Sequence, residues 1–130
     1  MSYILADTCI WINSFDNAVS TEAKDLARLI DSQRLVMAGV VLTEFLTGVK
    51  DRTVFEVVAD KLSSFPLIDP KRQTWILAGK IGAEMRSKGK NIPFSDLLLA
   101  ALCIEHSISL YTHDKHFLDI PSLKLWPEKK

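Results

Sequence analysis

Cysteine is scarce in this chain of 130 residues: Cys9 and Cys103 are the only two, each inside an apolar stretch. Two cysteines make no disulfide framework, so both read as free buried thiols. An excess of one charge is missing as well. Sixteen basic and sixteen acidic residues cancel to zero, which excludes a polycation that adheres to any nucleic acid. Long hydrophobic runs are absent; uncharged stretches such as 35–43 and 97–104 are far too short to span a bilayer. The first residues lack a basic start and reach an acid at Asp7, unlike a secretory signal, so a cytoplasmic protein is expected. Among only five glycines there is no Walker loop and no Rossmann fingerprint, which argues against a nucleotide-hydrolysing switch. What is there, 48% apolar and 25% charged residues, is the composition of a globular protein with a core of its own. The length argues for a single domain over 1–130.

Short apolar runs alternate with helical stretches. Residues 3–6, 35–38 and 108–111 read as buried strands, 65–68 as an edge strand because of Pro66, and 123–126 as a short final one. Ser20 or Thr21, with Glu22 in the first turn, opens a helix whose apolar face is Ala23, Leu26, Ala27 and Ile30. Residues 41–49 look helical and end at Gly48 or continue into 54–62. Asp69-Pro70 predicts a helix start, with the acid as cap and the proline in the first turn. Trp75, Ile76, Ala78, Gly79, Ile81, Gly82 and Met85 give that helix its apolar face, and the two glycines allow a close neighbour. Residues 95–106 form an almost wholly apolar helix. Strands separated by helices predict an α/β fold, a three-layer sandwich with a central parallel sheet of four to five strands covered by helices.

The acids fall at informative places. Asp7 follows the first strand, Glu44 lies one helical turn after the second, Asp96 opens the helix of 95–106, and Asp114 follows the strand of 108–111. Ligands of open α/β sheets bind outside the carboxyl ends of the strands. Singly, each acid reads equally well as a cap or turn former. Gathered in one cleft, four carboxylates would repel one another, and such a cluster persists most readily around a divalent cation. All-oxygen ligation points to Mg2+ or Mn2+, and that chemistry suits phosphodiester hydrolysis. The hydroxyls of Thr8 and Thr112 adjoin the first and last acids. His113 and His116, with no cysteine nearby, do not make a zinc site.

Basic charge concentrates in the second half: residues 1–65 carry 6 basic and 9 acidic groups, residues 66–130 carry 10 and 7. Arg86, Lys88 and Lys90 belong to this rim and are candidate RNA contacts; a solvated helix face is the plainer reading. Trp11, Trp75 and Trp126 read as core or interface anchors.

Four motifs in order carry a resemblance: Asp7-Thr8-Cys9-Ile10-Trp11-Ile12, Thr43-Glu44-Phe45-Leu46-Thr47-Gly48, Phe94-Ser95-Asp96-Leu97-Leu98-Leu99-Ala100-Ala101 and Tyr111-Thr112-His113-Asp114-Lys115-His116-Phe117. With them the chain resembles PIN-domain ribonucleases, and most of all the VapC-type toxins of type II toxin–antitoxin systems. The resemblance implies a PIN-like fold and a Mg2+- or Mn2+-dependent endoribonuclease. It implies Asp7, Glu44, Asp96 and Asp114 as the catalytic, metal-binding set, supported by Thr8 and Thr112. Asp7, Asp96 and Asp114 would hold the metal, and Glu44 would ligate it or position the attacking water. It further implies an RNA substrate, a cognate antitoxin and a homodimer. The chain departs from the pattern at His116, where some members carry a further acid; Asp119 is the alternative fifth acid.

Two other readings compete. A PIN-like domain that binds RNA or protein without cutting would lack part of the acid set, which is complete here. A phosphoacceptor receiver domain would need an early acidic pair and a lysine after a late strand, where this chain has Asp114.

Overall fold

The computed structural model describes residues 2–128. Its chain runs β1 (Ile4–Ala6), α1 (Thr8–Asp16), α2 (Thr21–Asp31), β2 (Leu35–Ala38), α3 (Gly39–Thr47), α4 (Arg52–Leu62), β3 (Leu67–Ile68), α5 (Arg72–Ser87), α6 (Phe94–Glu105) and β4 (Ser109–Tyr111). A short 3-10 helix, Lys115–Phe117, follows β4. The four strands form one parallel sheet in the order β3-β2-β1-β4, the helix-covered α/β arrangement expected from the alternation of elements.

Every residue of β1 and β2 is buried, as continuous apolar runs in the middle of a parallel sheet must be. β3 is an edge strand of two residues, with Leu67 about half exposed. Pro66 costs it nothing there, because its carbonyl accepts from Met37 N (2.8 Å) and no amide is required. The expected strand at 123–126 contributes only an isolated bridge, Leu110 to Leu125. The register places Leu5 beside Val36 on one side and Leu110 on the other, and Ala6 beside Tyr111. β2 and β3 lie to one side of β1 and β4 to the other, so the strand order reverses between β1 and β4. The carboxyl ends of that pair form the crevice where a ligand of such a sheet is expected.

Several helical details differ from the sequence expectation. α1 is absent from it altogether; Asp7 caps this helix, which buries Ile10 and Trp11. In α2 the buried face is Asp25, Leu26 and Leu29, while Ala27 and Ile30 are exposed. Asp25 is drawn inward because Tyr111 Oη donates to its Oδ2 (2.6 Å) and Arg28 Nη2 to its Oδ1 (2.7 Å). Residues 41–62 divide into two helices, since Asp51 caps α4 by accepting from Thr53 N and Val54 N.

α5 begins at Arg72 rather than at Asp69-Pro70. The reason is tertiary: Thr74, fully buried, accepts from Lys71 N (3.0 Å) and donates to Glu105 Oε1 on α6 (2.6 Å). The buried face is therefore Thr74, Ala78, Ile81 and Met85, whereas Trp75 and Ile76 are exposed. Trp75 stacks on Phe94 at 6.2 Å instead of entering the core. Of the two α5 glycines, Gly82 alone meets a close neighbour; a Cβ there would lie 2.9 Å from Leu97 Cδ1 of α6. α6 itself buries six consecutive residues, Leu98 to Cys103, behind the crevice. Among the described residues no helix is long and apolar enough to cross a membrane.

Candidate metal centre

Asp7, the first residue after β1, continues the sheet by donating its amide to Tyr111 O (2.8 Å). Its extended φ and ψ of −69° and 162° end the strand and let it cap α1, with Oδ1 accepting from Thr8 N (2.8 Å). Oδ2 accepts from Thr112 Oγ1 (2.8 Å), and the residue is only 7% exposed. Thr112 is the last link before the next acid: its hydroxyl also accepts from Asp114 N (3.0 Å). One side chain thus ties together the acids that follow β1 and β4. Glu44, exposed on α3, accepts from Thr8 Oγ1 at Oε1 (2.8 Å). Asp96 lies in the first turn of α6, where the helix dipole favours an anion; Pro93 precedes the helix and supplies no side-chain cap.

Asp7, Thr8, Cys9, Glu44, Asp96, His113 and Asp114 line one open cleft. All four acids singled out in the sequence therefore line one cleft, with Thr8; among the described residues the set of three whose donor atoms all lie within 4.8 Å of one another is Asp96, Asp114 and His116. Among the described residues no lysine or arginine pairs with any of the four. Asp96 carries the electrostatic consequence. Burial pushes its carboxyl above the ordinary carboxylate range and the charges of Asp114 and Asp7 push the same way, against a hydrogen bond from His116. A divalent cation would relieve that crowding, and the oxygen-rich donor set suits a hard ion. The residues fit the group.

Other expected residues fall elsewhere. Asp119 does not join the cleft; it is exposed and paired with Lys90. Lys90 is thereby engaged within the chain, while Arg86 and Lys88 are exposed at the end of α5, and none of the three lines the cleft. Cys103 is buried as expected, its thiol pushed up to about 12 by desolvation. Cys9 departs from the expectation. It is only partly buried, at the cleft, with Sγ 4.0 Å from Asp7 Oδ2 and from Thr112 Oγ1, and burial again raises its thiol.

Three contacts around the site join residues that the sequence motifs leave unconnected. His113 Nε2 meets Glu22 Oε2 of α2 (2.7 Å), and this hydrogen bond holds the Glu22 carboxyl below its ordinary value. Tyr111 reaches Asp25, 86 positions earlier, which fixes the end of β4 against α2. His116 Nδ1 lies 3.2 Å from Asp96 Oδ2 and 3.1 Å from Asp114 Oδ1. Only the last was accessible in principle, because Asp114 and His116 are two residues apart and could share a turn.

Comparison with known proteins bears on the family and the fold. The sequence model of the PIN domain family matches residues 4–123. Ribonuclease VapC2 of Rickettsia felis is 28% identical over 130 aligned positions, covering 96% of this chain and 96% of the relative. The fold is similar to that in the crystal structure of VapBC2 from Rickettsia felis bound to a promoter DNA fragment, with a TM-score of 0.82 at 24% identity, over 95% of this chain and 96% of the other. VapBC-1 from nontypeable Haemophilus influenzae gives a TM-score of 0.80 at 25% identity, over 96% of each chain.

Proposed function

The chain belongs to the PIN domain family, and on that premise we propose that it is a metal-dependent endoribonuclease, the toxin of a VapBC-like pair held in check by a cognate antitoxin. The observation that carries the reading is that Asp7, Glu44, Asp96 and Asp114 line one cleft with no lysine or arginine paired to any of them among the described residues. Asp7, Asp96 and Asp114 would hold Mg2+ or Mn2+ there. Once bound, such an ion supplies Lewis acidity toward the scissile phosphate and makes a water molecule easier to deprotonate. Glu44 Oε1 is held by Thr8, which leaves Oε2 to take the proton of the attacking water. Thr112 keeps Asp7 and the Asp114 backbone in register as charge moves. The water oxygen would bond to phosphorus as the bond to the 3′ oxygen breaks, leaving a 5′ phosphate and a 3′ oxygen that takes a proton from solvent to become a hydroxyl. Arg86 and Lys88, exposed at the end of α5, are placed to meet RNA phosphates, with Lys90 available once it leaves Asp119.

The antitoxin has a suitable surface. Trp11, Phe15, Ala23, Ala27, Ile30 and Phe65 line an apolar groove between α1 and α2. The solved relatives above are toxin–antitoxin complexes, which supports a protein occupant. Val54 and Val57, exposed on α4, support a homodimer through that helix. A cytoplasmic site of action accords with all of this.

The test is cleavage of a mixed RNA pool in Mg2+ or Mn2+ against EDTA, with wild type and Asp96→Asn in parallel. Cleavage should need both the ion and Asp96, falling at least about 100-fold in the variant while its thermal melt stays cooperative. Undiminished cutting by Asp96→Asn would overturn the assignment.

A further inference from the structure

Resting on the reading of this cleft as a divalent cation centre, we infer that His116 is itself a ligand, so that Asp96, Asp114 and His116 form a mixed oxygen and nitrogen donor set that favours Mn2+ over Mg2+. The three side chains offer donor atoms all within 4.8 Å of one another. Donors about 2.1 Å from one ion at right angles are separated by about 3.0 Å. The two edges from His116 Nδ1, 3.2 Å and 3.1 Å, match that spacing closely.

The local backbone sets the ring where it is. Asp114 caps the 3-10 helix, and its Oδ1 accepts from His116 N (2.9 Å), which folds residue 116 back over the carboxylate. Among the described residues, the hydrogen bonds and ion pairs of the imidazole are with Asp96 and Asp114. Its Nδ1 faces the two aspartates alone, with 48% of the side chain exposed. A ring so placed costs little to turn into a ligand, since its neighbours are the groups the ion would already hold. Asp7 lines the same cleft as Asp96 and Asp114 but stands outside this close donor set.

Chemistry then decides the preference. Mg2+ demands hard oxygen ligands and keeps its waters, whereas imidazole suits the first-row transition ions. Mn2+ is the member of that series that carboxylates also suit. An acid at position 116 would raise the affinity for both ions together. Histidine at that position raises the affinity for Mn2+ selectively.

The experiment is pulsed electron paramagnetic resonance of Mn2+ bound to the full chain, together with calorimetric titration by Mn2+ and by Mg2+. Wild type should show the nitrogen hyperfine coupling of a coordinated imidazole. His116→Gln should lose that coupling, and its Mn2+ affinity should fall about tenfold while Mg2+ affinity stays within a factor of about two. The residue is exposed, so circular dichroism of His116→Gln should match wild type. Mn2+ that binds wild type, and fails to bind Asp96→Asn, without nitrogen coupling would overturn the role of His116 alone. Failure of Mn2+ to bind wild type at all would overturn both this inference and the cation centre beneath it.

Discussion

Replacing Thr112 with valine removes one hydroxyl and keeps the shape. In the native protein that hydroxyl donates to Asp7 Oδ2 at 2.8 Å and accepts from Asp114 N at 3.0 Å. Asp7 is 7% exposed, so water does not readily replace the lost donor, and its carboxylate keeps the Thr8 amide and the long contact from Cys9 Sγ at 4.0 Å. A hydrogen bond to a charged group contributes about 1.5–3 kcal/mol, and an orphaned amide adds about 1 kcal/mol. Thr112→Val should therefore unfold about 2–4 kcal/mol more easily, which for a chain of this size lowers Tm by about 8–15 °C. The functional loss is separate. With the residue joining two ligand-bearing segments gone, Mn2+ affinity should fall about 10–100-fold, the usual effect of removing a group that orients ligands. Thermal melts and calorimetric titration of Thr112→Val and Thr112→Ser measure both effects, and serine, which keeps the hydroxyl, should recover most of each. A valine variant within about 0.5 kcal/mol in stability and twofold in affinity would refute the claim that Thr112 joins the two segments.

Tyr111→Phe strips the 2.6 Å donor from buried Asp25 and should cost about 2 kcal/mol in chemical denaturation. The native phenol is pushed above its ordinary value, first by burial and then by Asp25. The unfolded chain therefore loses this proton first, and stability falls as pH rises above about 10, a slope that Tyr111→Phe should weaken. Thiol titration at pH 8 should leave Cys103, raised to about 12, unreactive in the native chain and release it only in denaturant; prompt native labelling of Cys103 would contradict its burial. In the groove, Ile30→Asp should raise the Kd for the antitoxin about tenfold or more, with the thermal midpoint of the isolated chain within about 2 °C of wild type, because Ile30 is already 40% exposed. An unchanged Kd would move the antitoxin to another face.

Much of the fold was legible because it is written locally. The runs at 35–38 and 108–111 are short and mostly apolar, and the first is followed at once by Gly39. α1 escaped notice because Thr8–Asp16 mixes Ile10, Trp11 and Ile12 with Asn13 and Ser14 and has no clean helical period. Its start was visible only in the capping role of Asp7. The buried face of α2 differs from the expected one because periodicity ranks Asp25 as solvent-facing, and its burial depends on the donor Tyr111 reaches across from β4. The start of α5 moved for the same kind of reason, through the contact of Thr74 with Glu105.

The sequence by itself determined the alternation of strands and helices and the placing of Asp7 and Asp114 just beyond strand ends. Those are properties of neighbouring residues, governed by side-chain period and capping. Only the tertiary structure decided that the four acids meet. Asp7 and Thr112 are 105 positions apart, and they touch because β1 and β4 pair in parallel with Ala6 beside Tyr111. The same long-range pairing brings Asp96 of α6 against the turn after β4, where a histidine stands between two carboxylates. Local propensity has no access to such distances; they follow from burying β1 between two strands far from it in the chain.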